Sequence, residues 1–335
     1  MGHPPFGHIA EEELNDLVQG KGVDDGYEGN AQTFRILTKL TVGDSGLAGN
    51  DGLNPGLNLT SATLNAVLKY PWFHKENPNQ QKKWGVYETE RAIFEFAREN
   101  SGLPQFIRSV EAEIMDWADD ITYAIHDMAD FYCAGLIPLH ALAAGAERWN
   151  DTDDIYRQEL NRFFEATFER CPYLDPESHK KAFIDALKFF NLQTPYEGSL
   201  VQNRELWSYS SILIGKYIED IELTDSASSP DGKSVTINET AIRQTAMLKQ
   251  LTWHYVIEHS DLATIQYGQR KMIRELFEIF FDAVKKNDLK LFPVGFQEII
   301  RSSPDVPSAR WVADYISGLT EREVLRLHHR LVSPS

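Results

Sequence analysis

The sequence predicts an all-α fold, and three observations carry that prediction. Apolar residues recur at spacings of three and four along most of the 335 residues, the interval of helices buried on one side. Breakers separate these stretches: a Gly/Asn/Asp-rich loop at 43–56, Pro71 and Pro78 around a turn, and SASSPDG at 226–232. One short β-branched run, KSVTI at 233–237, reads as half of a single small hairpin.

In chain order, Pro4 and Pro5 hold the backbone extended, Gly7 permits a tight turn, and a helix begins near His8. Helical periodicity then covers 58–69, 87–99, 108–132, 153–170, 177–191, 203–220, 238–258, 262–282 and 319–332. The stripe within 262–282 runs through Leu262, Ile265, Met272, Ile273, Leu276, Phe277 and Phe280. The loop at 224–236 is the candidate linker, although strongly helical sequence flanks it. It divides the chain into a core of 1–220 and a helical C-terminal lobe of 221–335 packed on that core.

Composition narrows the functional classes. Hydrophobic residues make up 42% and charged residues 25%, which excludes wholesale disorder and fibrous repeats. With 33 basic and 50 acidic residues the formal charge is −17, a surface that repels a phosphate backbone and excludes strong nucleic-acid binding. A small phosphorylated ligand remains compatible, because a few local cations outweigh a distant acidic surface. Two cysteines, Cys133 and Cys171, make no disulfide framework and point to a reducing cytoplasm. No uncharged apolar run is long enough to span a membrane, and the first residues form no signal peptide.

Three clusters carry candidate chemistry. His8 and Glu11, three apart on a helix, can share a proton and orient water, or be an exposed helix start with acids complementing its dipole. In the stretch 111–130, Asp119, Tyr123 and Asp127 are spaced by four and drift by only about 40° per step. They form a row, with Asp116, Asp120 and Asp130 near it and an apolar stripe of Ile114, Ala118, Ile121, Ile125 and Met128 opposite. Periodicity does not decide between a solvated acidic face and a metal-site helix. The third cluster is basic: Arg35, Lys69-Tyr70-Pro71-Trp72 and Lys83-Trp84-Gly85 suit phosphate and base contacts, or else Trp72 and Trp84 are core anchors beside solvated lysines.

Six blocks in order, GHPPFGHIAEE, YEGNAQTFRILTKL, GLNLTSATLNAVLKYPW, KKWGVYETE, EAEIMDWADDITYAIHDMAD and RWVADYISGLTERE, resemble the deoxyguanosinetriphosphate triphosphohydrolase (dGTPase) family of the HD-domain phosphohydrolases. The resemblance runs from residue 1 to about residue 325 and is loosest over 150–300. It implies an HD-domain-like helical bundle that hydrolyses a deoxynucleoside triphosphate, dGTP foremost, to the deoxynucleoside and tripolyphosphate. A divalent ion, Mg²⁺ or Mn²⁺, is implied as cofactor, and a homo-oligomer tuned by a dNTP effector as the assembly. By motif position, His8 and Glu11 match the pair that handles the attacking water and leaving oxygen, and Asp119 matches the distal metal ligand. Tyr123 and Asp127 match sugar contacts, where a ring against the 2′ carbon leaves no room for a hydroxyl. Lys69, Tyr70 and Lys83 match triphosphate contacts, and Asn30, Gln32 and Arg35 belong to a neighbouring motif.

The sequence departs from that pattern at its start. The family binds its metal through a histidine, a His-Asp pair and the distant aspartate, and the pair directly precedes the GHPPFGH block. Met1 stands where the residue after that pair would be, so three of the four ligands are expected upstream, as in a truncated chain that lacks the N-terminal helices. The His126-Asp127 dipeptide lies in the later helix and is a decoy. Without those ligands the chain as written is expected to have impaired metal chemistry, and a non-catalytic nucleotide-binding subunit is the alternative reading. A helical interaction scaffold leaves the ordered motifs unexplained.

Overall fold

The computed structural model describes residues 1–41, 56–191, 194–224, 233–257 and 260–332. The predicted loops at 43–56 and 226–232 fall, apart from residue 56, outside the described residues. Fourteen α-helices and one two-stranded sheet account for the regular structure among the described residues, as the all-α prediction requires. The chain divides into two compact units. The first comprises residues 1–113 and 264–335, and the second residues 114–263, so the candidate linker at 224–236 lies inside the second unit.

In the first unit, α1 (His8–Gly20) and α2 (Gly29–Arg35) precede the short α3 (Ser61–Ala66) and α4 (Arg91–Glu99). The chain leaves this unit within α5 (Val110–Cys133), returns within α11 (Ser260–Lys285), and closes with α12 (Val294–Ser302), α13 (Ser308–Ser317) and α14 (Glu321–Val332). The α1 face of Ala10, Leu14 and Val18 packs with Ile273, Leu276, Phe277 and Phe280 of α11 and with Val312 and Ile316 of α13. Phe277 and Phe280 are fully buried, each contributing about 1.5–3 kcal/mol through the apolar area removed from water. A smaller cluster joins Ala31 of α2 to Trp72, Trp84 and Tyr87, so both tryptophans are core anchors.

The second unit holds the rest of α5, α6 (Leu139–Glu147), α7 (Ile155–Arg170), α8 (Pro176–Leu187), α9 (Leu200–Glu219) and α10 (Glu239–Thr252). Helices α7 to α10 begin where side chains satisfy otherwise orphaned backbone N–H groups, whereas α6 starts after Pro138 with no side-chain cap. Asp154 accepts from the N–H groups of Tyr156 and Arg157, Asp175 precedes Pro176 at α8, and Ser199 with Gln202 forms a capping box at α9. Strands β1 (Ile221–Leu223) and β2 (Val235–Ile237) pair antiparallel, which supplies the predicted hairpin. No helix among the described residues is long and apolar enough to cross a membrane.

Two parts of the sequence reading change. Helices α2, α6, α12 and α13 lie outside the predicted spans, because each is short and starts at or just after a proline or glycine rather than being marked by a long stripe. On α5 the buried line is Trp117, Ile121, Ala124, Ile125, Met128 and Tyr132, while Ile114 and Ala118 are exposed. Trp117, anchored by an Nε1–H bond of 3.0 Å to the Tyr217 carbonyl, turns the helix towards its own ring instead of Ile114.

Candidate active site

The first ten residues build one wall of a cleft. Phe6 and Gly7 both take positive φ, and Gly7 at φ 61°, ψ −137° occupies a region open only to glycine, so the backbone reverses immediately before α1. This reversal places His8 on the first turn, and Glu11 follows one turn later. His8 Nδ1 lies 2.9 Å from Glu11 Oε2, with His8 largely exposed and Glu11 buried. The other Glu11 oxygen accepts from the Gly29 N–H at 3.1 Å and from Lys83 Nζ at 3.0 Å.

The N-cap of α2 supplies a second carboxylate. Glu28 Oε2 accepts from the N–H groups of Asn30 (2.6 Å) and Ala31 (3.1 Å), and Oε1 from Asn30 Nδ2 (2.9 Å). Lys83 Nζ also lies 3.0 Å from Glu28 Oε1, so one ammonium bridges two buried glutamates. The backbone of the segment around Lys83 is fixed against the segment carrying Tyr70. Trp72 Nε1 donates to the Lys83 carbonyl at 2.7 Å, Gly85 N–H donates to the Trp72 carbonyl at 3.2 Å, and Phe73 bridges Val86. A Cβ on Gly85 would stand 2.2 Å from the Tyr70 carbonyl oxygen, so only glycine allows this approach. Tyr70 itself lies beside Trp72, ring centres 5.4 Å apart, under the Arg108 guanidinium. Lys69 and Tyr70 are both half-buried.

His8, Glu11, Glu28 and Lys83 line a cleft of about 470 Å³ that extends past His74 and Trp84, whose rings lie 4.4 Å apart, and Lys69 and Tyr70 are not part of its lining. Its electrostatics follow from the bridge. Burial pushes the Glu11 carboxyl up, but the hydrogen bond to His8 and the Lys83 ammonium outweigh it and hold it at about 2. The same Glu11 contact lifts His8 above its ordinary value against the opposing effect of burial. Burial lifts Glu28 despite Lys83, and it lowers His3. The arrangement is therefore a histidine–carboxylate pair backed by a lysine, in which Glu11 favours the protonated imidazole.

Gln32 and Arg35 turn the other way. Arg35 is fully buried, its Nε 2.9 Å from both Asp314 oxygens, its Nη2 2.8 Å from Oδ2 and its Nη1 bonded to Glu90. Gln32 Nε2 donates to Asp314 Oδ1 at 3.0 Å and to Ser317 Oγ at 3.3 Å. Both side chains fasten α2 to α13 beneath the cleft.

In the second unit, Asp119 and Asp127 are half-buried and Tyr123 is exposed along α5. Burial, reinforced by the neighbouring Asp130, raises the Asp127 carboxyl. Asp120, beside the row, pairs with Lys249 of α10, which relieves part of the repulsion among these acids.

Comparison with known proteins gives these clusters a family. A deoxyguanosinetriphosphate triphosphohydrolase-like protein of Streptomyces coelicolor is 31% identical over 344 residues, covering 99% of this chain and 75% of the relative. The chain belongs to the dGTPase-like family. Similar relatives with the same name occur in Corynebacterium efficiens, 31% identical over 98% of this chain and 74% of the relative, and in Haemophilus influenzae, 26% identical over 99% and 71%. The family model of a phosphohydrolase-associated domain matches residues 235–330.

A divalent ion, which the resemblance to dGTPases implies, has a suitable donor set in the first unit. His3, His8 and Glu11 each offer a ligand atom, all within 4.8 Å of one another, and two imidazoles with one carboxylate are a borderline-metal set. The His3 and His8 rings meet edge-to-face at 5.4 Å. Lys83 already occupies the second Glu11 oxygen, so an ion taken up here meets a resident cation. By sequence His3 could reach the site but holds a different place in the motif, and Glu28 was passed over. The available signal for Glu28 was an acidic residue directly before Gly29-Asn30 at a helix start.

Proposed function

We propose that this protein is a dNTP triphosphohydrolase that splits a deoxynucleoside triphosphate, dGTP foremost, into deoxynucleoside and tripolyphosphate. One observation carries the reading: Glu11 joins a histidine on one oxygen to a lysine on the other, in a cleft large enough for a triphosphate. Membership of the dGTPase-like family and the phosphohydrolase-associated match support it.

In the reaction, water attacks the α-phosphorus and the bond from that phosphorus to the 5′ oxygen breaks. The imidazolium of His8 donates its proton to the departing 5′ oxygen, and the attacking water's proton returns to the imidazole. Glu11 stays charged, keeps His8 protonated and fixes the ring's direction through Nδ1. Lys83, with Lys69 and Tyr70, neutralises and orients the triphosphate. A divalent ion, Mg²⁺ or Mn²⁺, would supply Lewis-acid stabilisation of phosphate charge, and His3 and Glu11 would hold it in the first unit, because a protonated His8 has no lone pair to give. Asp119 as a further metal ligand, Tyr123 and Asp127 as sugar contacts, and Asn30 as a substrate contact belong to this reading on the resemblance. A homo-oligomer with a dNTP effector completes it on the same ground, and a cytoplasmic setting on the two cysteines that form no disulfide framework.

The test is product analysis after incubation with each of the four dNTPs and Mg²⁺ or Mn²⁺. Deoxynucleoside and tripolyphosphate in equal amounts, fastest from dGTP, are expected. Release of dNMP and pyrophosphate, or nucleotide binding without turnover, would overturn it.

A further inference from the structure

We propose that Glu28 sets the affinity of the cleft for triphosphate by competing for Lys83. The inference rests on the reading that this cleft takes a triphosphate, and it gives a positioning role to a residue outside the reacting groups.

The geometry separates a fixed partner from a movable one. Lys83 Nζ sits 3.0 Å from Glu11 Oε1 and 3.0 Å from Glu28 Oε1, which commits two of its three donors. Glu28 cannot follow the lysine. Its side chain is 2% exposed, both oxygens are engaged by the start of α2, and its own N–H and carbonyl are each 3.2 Å from the Tyr87 hydroxyl. Lys83 is 36% exposed on a flexible four-carbon stem, so it is the member that swings. Glu11 is held in place by His8 and by the Gly29 N–H, and stays where the chemistry needs it.

An arriving triphosphate therefore draws on an ammonium that is already shared between two carboxylates. Binding exchanges the Glu28 contact for a phosphate contact, and the Glu28 charge opposes that exchange twice, by holding the lysine and by repelling the anion. In the empty cleft the bridge keeps two adjacent glutamates from repelling each other. In the occupied cleft Glu28 limits how tightly substrate and the tripolyphosphate product are held, which favours product release.

Glu28→Gln keeps an oxygen for the Asn30 and Ala31 N–H groups and removes the charge. Calorimetry with inorganic tripolyphosphate in metal-free buffer should show binding about tenfold tighter than wild type, the scale of one partly buried ion pair. The gain should shrink in a Lys83→Met background, where only the direct repulsion of the anion is left to remove, and for dNTP turnover KM should fall more than kcat changes. Should circular dichroism show Glu28→Gln unfolded, Glu28→Asp keeps the cap and draws the carboxylate back from Nζ, and a smaller tightening is expected. Equal or weaker binding by the folded variant, with wild type binding normally, overturns the proposal and leaves the triphosphohydrolase reading intact. Failure of wild type and variants alike to bind tripolyphosphate overturns both.

Discussion

The cluster around Glu11 and the acid row on α5 contrast in how they are made. His8, Glu11, Glu28 and Lys83 come from three separated stretches of the first unit and meet through hydrogen bonds of 2.9–3.1 Å. Asp119, Tyr123 and Asp127 come from one helix of the second unit and share a face by spacing alone. In the first case tertiary contacts perturb the groups, holding the Glu11 carboxyl at about 2. In the second, the order of the row is local and its environment is half solvent. Perturbed groups in a cleft mark chemistry more strongly than alignment along a helix does.

The contrast can be broken by substitution, and the largest effect is expected at its centre. Glu11→Gln should lower dNTP turnover by about 10²–10⁴-fold, the scale of losing a positioned acid–base pair. The same change should move the His8 titration, followed by NMR, down towards 6.5, because its raised value depends first on Glu11. An unchanged His8 titration would separate the two residues and weaken the account of the cluster.

Next in size is a purely structural effect. Arg35→Met leaves Asp314 and Glu90 as buried charges without their cation and should cost about 3–5 kcal/mol in chemical denaturation. Lys249→Met, which breaks the half-exposed pair with Asp120 beside the α5 row, should cost less than about 1 kcal/mol. Comparable losses from the two would remove the distinction between a braced unit floor and a solvated helix face.

The pH response sharpens the same comparison. The depressed Glu11 carboxyl contributes stability that is complete above its ordinary 4.5 and is lost as pH falls towards about 2. The raised His8 contributes stability complete below its ordinary 6.5 and lost as pH rises through its raised value. Turnover should therefore hold through weakly acidic pH and decline above 6.5, and Glu11→Gln should shift that decline to lower pH. The smallest effect is expected at Tyr123→Phe, which should change stability by less than about 0.5 kcal/mol because the ring is exposed, while raising KM for a dNTP.

The sequence made the local features legible. Long stripes revealed α5, α7 and α11, the turn at Gly7 revealed the start of α1, and the His8–Glu11 spacing revealed their contact. It did not reveal Arg35 as a brace, because Asp314 lies 279 residues away and no spacing rule reports such a pair. Motif position placed Arg35 with substrate contacts, whereas its guanidinium is fully enclosed. Lys83 was legible as a phosphate contact, yet its bridge to Glu28 depends on the backbone join between Trp72 and Gly85, a tertiary event. The expected division at 220 followed a loop, whereas the first unit is completed by chain that returns after residue 263.

The most direct test is a ³¹P NMR time course of dGTP with Mn²⁺, run in parallel on wild type and Glu11→Gln at matched stability. Tripolyphosphate should accumulate with wild type and be slowed at least about 100-fold by the substitution. Tripolyphosphate formed at an undiminished rate by Glu11→Gln, or pyrophosphate formed by wild type, would contradict the assignment of the chemistry to this cluster.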